Sequence, residues 1–362
     1  MKNIDLRKLS SVSSSERAFL SVYISEKMKN EDVDMNLKRK KKILKSGTDD
    51  FEHFTENHRI IINNIKKNSI NDGNHVIFCC WALNYYKRIA LELPVEDMII
   101  VDSSPYILPL AQLEDEYENY LVVAASNEKT KIFLVSSQKT IRDDSISGNI
   151  KNHVKVGGWS QQRYERRRDK EFSEYVKNII GKTREIIKGI ELRRIVLVGS
   201  KETIRELNKR FPNDIKEKVV GEKNLDLNKS DDFINKEIFD ILWREERKTE
   251  KGLWDKIKSY YLKGNLGVTG IHDVLNFAKL GRVDSVIVNK SANIKGIRCR
   301  DCGELSELDT DKCLKCKSSS IFQVDIVNEI IELLKLSGGE IEFAEDIDEL
   351  KKLGDIASIL RY

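Results

Sequence analysis

Residues 157–168 read Gly157-Gly158-Trp159-Ser160-Gln161-Gln162-Arg163-Tyr164-Glu165-Arg166-Arg167-Arg168, two glycines opening directly into an arginine-rich run. Paired glycines reach backbone angles closed to other residues and let the main chain come within hydrogen-bond distance of a ligand. The arginines behind them supply phosphate contacts. Farther along, Phe172, Tyr175, Val176, Ile179 and Ile180 recur at helical spacing. A long helix is predicted, with its apolar face inward and the arginines at its start. Locally a second reading stays open, a glycine turn ahead of a solvated surface helix.

Outward from this run the pattern is α/β. Tyr120–Ala125 and Lys131–Val135 read as adjacent strands joined by a turn at Asn127-Glu128-Lys129, and a strand at Arg194–Gly199 precedes a helix after Ser200. Toward the N-terminus a short charged helix leads to a strand at Phe19–Ile24, and the basic stretch after it reads as helix through about Lys67. A strand at His75–Trp81 follows the turn signal Asn71-Asp72-Gly73-Asn74. Pro94, Pro105 and Pro109 bracket a strand at Met98–Val101 and place a boundary near residue 112. Toward the C-terminus a lysine- and aspartate-rich stretch, Glu222 to Asp232, precedes a charged helix through about Lys251, read as an arm between domains. Val274, Leu275, Phe277 and Ala278 share a helix face before a strand at Ser285–Val288. A helix from Val324 to Leu336 and a final strand and helix ending at Tyr362 close the chain. The division expected is 1–112, 113–238 and 239–362.

At 362 residues the chain fits two or three domains of ordinary size. Its 63 Lys and Arg against 59 Asp and Glu leave a net charge of only +4, so affinity for nucleic acid must come from local patches. One patch is Lys38-Arg39-Lys40-Lys41-Lys42 with Lys45, for which a solvated helix face is the plainer reading. The other is Arg163 with Arg166 to Arg168 and Lys170. No stretch approaches the roughly 18 apolar residues that span a bilayer, and Met1–Asp5 lacks the apolar region of a signal peptide. A cytoplasmic protein is expected.

Cys299-Arg300-Asp301-Cys302-Gly303 and Cys313-Leu314-Lys315-Cys316 form two Cys-x-x-Cys pairs with ten residues between them. Thiolates so spaced can converge on zinc, and Gly303 lets the backbone turn around the first pair. A zinc ribbon at about 297–320 is expected, with redox pairs or a metal-free ribbon as alternatives. A four-cysteine site has no open coordination position, so its role is structural. Cys79 and Cys80 read as buried thiols.

The glycine-arginine run resembles the Gly-Gly-Gln-Ser segment and arginine-rich helix of the archaeal and eukaryotic class I peptide-chain release factors, with Trp159 in the glutamine place. Gly267-Val268 through Val288 and the terminal Ile359-Leu360-Arg361-Tyr362 are similar to the third domain of the release-factor and Pelota superfamily. Archaeal members carry a cysteine-rich miniature domain where Cys299 to Cys316 stand here. The resemblance implies an α/β multidomain fold: an α+β N-terminal domain, a ribonuclease-H-like middle domain, and a C-terminal domain like kink-turn RNA-binding proteins with the zinc ribbon inserted. Release factors read stop codons with an Asn-Ile-Lys-Ser loop and a Tyr-x-Cys-Asp-x-x-Phe strand. Here the counterparts are Asn36-Leu37-Lys38-Arg39 and Ile99 to Pro105, which keep Asp102 and lose the tyrosine, cysteine and phenylalanine.

The implied activity is hydrolysis of peptidyl-tRNA at the peptidyl transferase centre of the large ribosomal subunit. Water attacks an ester carbonyl while a ribose oxygen leaves with negative charge, and a fixed backbone N–H aimed at that oxygen stabilises the transition state. Gly157 and Gly158 admit the loop, the N–H of Trp159 is the donor, and Ser160 completes the segment. Gln161 or Gln162 orients water, and Trp159 stacks on a base or ribose. Arg163, Arg166, Arg167 and Arg168 hold ribosomal or tRNA phosphates. Three readings follow: a ribosome-rescue or quality-control hydrolase that reads no stop codon, a conventional release factor, and a ribosome-binding factor without hydrolytic activity. A translational GTPase is a candidate partner.

Overall fold

The computed structural model describes residues 4–70, 73–116, 119–136, 139–147, 159–190, 192–307, 311–345 and 347–362. Two units emerge: Met1–Glu116 together with Glu250–Tyr362, and Tyr117–Thr249. The first segment carries α1 (Leu6–Ser10), β1 (Phe19–Ile24), α2 (Asn30–Lys41), α3 (Asp49–Lys67), β2 (Asn74–Cys80), β3 (Tyr85–Leu91), β4 (Met98–Asp102) and α4 (Leu108–Glu116). The middle segment carries β5 (Tyr120–Ala125), β6 (Lys129–Ser136), β7 (Lys139–Ser147), α5 (Trp159–Ile187), β8 (Arg194–Gly199), α6 (Lys201–Arg210), α7 (Asn213–Lys216) and β9 (Val219–Asn224). Next come α8 (Asp231–Leu262), β10 (Gly267–Thr269), α9 (Ile271–Lys279), β11 (Val283–Asn289), β12 (Lys295–Cys299), β13 (Leu305–Glu307) and β14 (Ile321–Asp325). The chain closes with α10 (Ile326–Ser337), β15 (Glu340–Ala344), α11 (Asp348–Lys351) and β16 (Ile356–Leu360).

In the middle unit the sheet order is β7-β6-β5-β8-β9, with β5, β8 and β9 parallel and β6 and β7 antiparallel. Successive strand residues point to opposite faces, so the apolar runs of β5 and β8 serve two cores. Leu121, Val123, Ile195 and Leu197 meet Val176 and Ile179 of α5 and Leu207 of α6. Val122, Ala124, Val196 and Val198 meet Ile234, Ile238 and Ile241 of α8. Two-sided burial explains why both strands read as continuous apolar runs.

The other unit contains an antiparallel sheet β3-β2-β1-β4 covered by α2 and α3, and a sheet β10-β16-β11-β15. Helix α10 joins the two halves of this unit. Asn328 Oδ1 accepts the backbone N–H groups of Ile107 and Leu108 at 2.8 and 3.0 Å. Ser104 Oγ donates to Glu332 at 2.6 Å and Tyr106 Oη donates to Asp325 at 2.8 Å. Four carboxyl groups lie along this seam: Asp102, Asp325, Glu329 and Glu332. Burial pushes Asp102 up to about 6 and Glu329 up to about 7, although Arg298 draws both down and Arg17 also draws down Asp102. Burial raises Asp325 and Glu332 as well, the latter well above its ordinary range.

Several boundaries differ from the sequence reading. The basic stretch expected as one helix through Lys67 is two, separated at Gly47 and restarted by Thr48, whose side chain caps α3. Val324 lies in strand β14, which runs to Asp325; the following helix starts at Ile326, with Asp325 accepting the N–H of Val327. Ile359 and Leu360 lie in β16, between β10 and β11 of the sheet, and form no helix. The charged helix expected to stop near Lys251 continues to Leu262, because Trp254 and Ile257 bury against the second sheet.

A carboxyl group whose folded pKa is raised contributes stability at acid pH that is lost as pH rises through the folded value. The first unit is therefore expected to lose stability between about pH 4 and 7. Thermal melting at pH 5 and pH 8 checks this. Glu332→Gln keeps an acceptor for Ser104 and removes one ionisation, and is expected to raise the melting temperature at pH 8 by roughly 2–4 °C per kcal/mol recovered, with less effect at pH 5. Identical behaviour of the variant and the parent at both pH values would contradict this account.

Candidate metal centre and the glycine-led helix

Strand β12 ends on Cys299, and the turn after it brings Cys302 back beside Cys313 and Cys316. All four sulfur atoms lie within 4.8 Å of one another. The Cys299–Cys316 and Cys302–Cys313 separations are both 3.5 Å. Four sulfurs bound tetrahedrally to zinc at about 2.3 Å stand about 3.8 Å apart, so the cluster has the right size to close on such an ion. These short approaches run between the two Cys-x-x-Cys segments, which suits a shared metal better than two independent redox pairs.

The two segments repeat one backbone geometry. Cys299 N donates to Glu304 O and Gly303 N to Cys299 O, while Cys313 N donates to Ser318 O and Lys317 N to Cys313 O. Each turn needs a left-handed residue after its second cysteine, supplied by Gly303 (φ +72°) and Lys317 (φ +62°). A lysine there costs about 1–2 kcal/mol, and its acceptance in this turn shows how strongly the surrounding turn fixes the backbone. The N–H of Cys316, 3.5 Å from Cys313 Sγ, leads the causes that lower the Cys313 thiol to about 6. That favours the thiolate at Cys313, the form that binds metal, whereas Cys316 is raised and Cys302 is pushed up to about 12. The ribbon is anchored on two sides: Lys279 of α9 pairs with Glu304 at 2.5 Å, and Arg300 pairs with Asp50 of α3 at 2.9 Å.

Gly157 and Gly158 lie outside the described residues. Helix α5 begins at Trp159, and its first turn holds Ser160, Gln161 and Gln162. The first four N–H groups of a helix have no acceptor within it, and that of Trp159 is one of them. Arg163, Arg166 and Arg167 are exposed. With Lys170 they recur at intervals of three and four residues and share a face. Arg168 is different: its Nη2 lies 3.0 Å from each oxygen of Glu202, and its side chain is only 13% exposed. It ties α5 to the start of α6. Arg167 pairs with Glu171 on the surface at 2.9 Å. Nothing in the local sequence marks Glu202, 34 residues downstream, as the partner of Arg168.

Of the other basic patch, Lys38 pairs with Asp34 at 2.6 Å and Lys41 lies over the Phe51 ring. Among the described residues no helix is long and apolar enough to cross a membrane.

Residues 105–240 match the model of the bacterial archaeo-eukaryotic release factor family 10. The peptide chain release factor subunit 1 of Thermococcus kodakarensis is 24% identical over 286 residues, covering 70% of this chain and 68% of that protein. The corresponding protein of Methanopyrus kandleri is 27% identical over 221 residues, 58% of this chain and 53% of that one. Among solved structures, the archaeal translation termination factor aRF1 covers 99% of this chain and 96% of its own, at 14% identity and a TM-score of 0.27. Dom34 of S. cerevisiae, a termination-like factor of RNA quality control, covers 80% of this chain and 79% of its own, at 15% identity and a TM-score of 0.42.

Metal analysis of the purified chain is expected to find about one zinc per molecule, since a four-thiolate site closes on a single ion. Cys299→Ser is expected to lose most of it. A metal-free chain of unaltered fold would remove the assignment.

The split among the arginines predicts two kinds of variant. Arg163→Ala with Arg166→Ala is expected to weaken ribosome binding and flatten its salt dependence, without change in melting temperature. Arg168→Ala is expected to cost stability, by about 1–3 kcal/mol, because the ion pair is partly buried. Equal effects of both changes on binding and on melting would erase the distinction.

Proposed function

Because this chain belongs to the superfamily of archaeal and eukaryotic release factor 1 and Pelota, we propose that it acts on the ribosome as a release-factor-like peptidyl-tRNA hydrolase that reads no stop codon. Its task in this reading is ribosome rescue or quality control in the cytoplasm. The observation that carries the proposal is the placement of Gly157-Gly158 directly before a 29-residue helix whose first turns are braced by Arg168 on Glu202. A long helix fixed to a sheet is a stiff mount for a loop that must enter a crowded RNA site.

Gly157 and Gly158 give that loop its conformational range, and the N–H of Trp159 faces the departing ribose oxygen. Gln161 or Gln162 orients the attacking water, while Arg163 and Arg166 hold phosphates of ribosomal RNA or tRNA. The order β7-β6-β5-β8-β9 supports a ribonuclease-H-like reading of residues 113–238. The mixed sheet β10-β16-β11-β15 supports the kink-turn-binding reading of residues 239–362, with a structural zinc ribbon inserted. A translational GTPase is a candidate for delivery.

The case against codon reading comes from burial. Asn36-Leu37-Lys38-Arg39, the counterpart of the reading loop, lies within α2, with Leu37 in the core. In the strand counterpart, Asp102 and Ser104 are buried, and Ser104 is bonded to Glu332. Groups held in this way are not presented to a codon. Trp159 in the glutamine place favours a second reading, in which the loop anchors the protein on the ribosome without hydrolysis.

Peptide release from stalled ribosomes and from isolated large subunits carrying labelled peptidyl-tRNA separates these readings. Release is expected at similar rates with and without a stop codon, and Gly158→Ala is expected to slow it roughly 10- to 100-fold by misplacing the loop. Binding without release would establish the anchoring role, and a strong stop-codon preference would return the protein to conventional termination.

A further inference from the structure

A groove of about 830 Å³ opens on the middle unit, where α8 covers one face of the five-stranded sheet only in part. Ile234 and Ile238 of α8 pack on Val122 and Ala124 of β5, while Phe133 of neighbouring β6 stays half-buried. Also lining the groove, Phe239 of α8 is 60% exposed. Sheets of this kind are ordinarily covered on both faces, so an apolar strip beside an exposed phenylalanine marks a binding surface.

The rim decides which ligand. Among the described residues, Lys129, Lys131, Lys229 and Lys236 are the charged side chains that line the groove, although the chain as a whole has nearly equal numbers of acidic and basic residues. Among the described residues none of these lysines is held by a carboxylate: Lys129 donates to Asn228 Oδ1 at 3.1 Å, and Lys131 Nζ stands 6.0 Å from the Phe133 ring centroid. Unpaired cations around aromatic faces fit a polyanion that carries flat rings. Asn228 and Asn235 add amides that donate and accept together, as base edges require.

We propose that this groove binds single-stranded RNA, one or two unstacked bases lying against Phe133 and Phe239 with the flanking phosphates on the lysines. Its volume falls within the range of about 300–1,000 Å³ typical of small-ligand pockets, which suits a short unpaired segment and excludes a duplex. The choice of RNA rests on the ribosome-directed reading above and adds to it a contact separate from the glycine loop.

Binding of a fluorescent ten-nucleotide oligouridylate to the full chain, followed by anisotropy at several salt concentrations, tests this. Phe239→Ala is expected to weaken binding roughly 5- to 100-fold, the loss of one base-aromatic stack. Lys131→Glu with Lys236→Glu is expected to weaken it and flatten the salt dependence. All three positions are exposed, so these variants fold. Ultraviolet cross-links are expected on the peptides containing Phe133 and Phe239, and to persist in Arg163→Ala with Arg166→Ala. Unchanged affinity in both groove variants, cross-links confined to α5, or displacement of the RNA by a glutamate- and leucine-rich peptide would overturn the proposal. A chain inert in peptide release that still binds RNA through the groove would refute the hydrolase reading alone.

Discussion

The amide of Asn328 is the contact on which the larger unit depends. Its oxygen takes two backbone N–H groups, from Ile107 and Leu108, and its nitrogen donates to Glu332 at 2.8 Å. The side chain is fully buried. Losing it would leave two buried donors unpaired, at about 1–3 kcal/mol each. Through this amide the end of the first segment is bound to α10 of the last, although the whole middle unit intervenes in sequence. Tyr106 sits on the same seam: its N–H donates to Ser21 Oγ, and its carbonyl accepts from Tyr23. The antiparallel sheet of the first segment is thereby fixed to α10 as well.

The end of β4 is taken up in this join: Asp102 is buried, as are Glu329 and Glu332 of α10. The ribbon strengthens the same join, because Arg300, next to the first metal-ligand candidate, pairs with Asp50, which Arg17 also reaches at 3.5 Å. The cysteine turn and the attachment of the first segment share the Arg300–Asp50 pair.

The middle unit is held by contacts of its own. Tyr175 Oη lies 2.7 Å from Thr130 Oγ1 and donates to Ser126 O at 3.1 Å, while Arg168 reaches Glu202. Helix α5 is held at both points, against β6 with the turn before it and against α6. The exposed Arg163 and Arg166 keep their charge available because the paired Arg168 does the anchoring.

Much of this was legible in the sequence. Strands β1, β5 and β8 have the bounds that their apolar runs imply, and the cysteine spacing alone announced a cluster able to hold a metal ion. Strand β9 was not legible, since it takes its conformation from hydrogen bonds to a neighbouring strand and carries no apolar alternation of its own. The helix–strand choice at Ile359-Leu360 also lay beyond local reading, because a short run buried on both faces has no period to distinguish the two. Tertiary structure alone assigned Arg168 to Glu202, set Asn328 across the seam and gathered four lysines around Phe133 and Phe239. Each of these depends on side chains far apart in the chain meeting where water is partly excluded, and sequence periodicity records only which face a residue takes, never what it finds there.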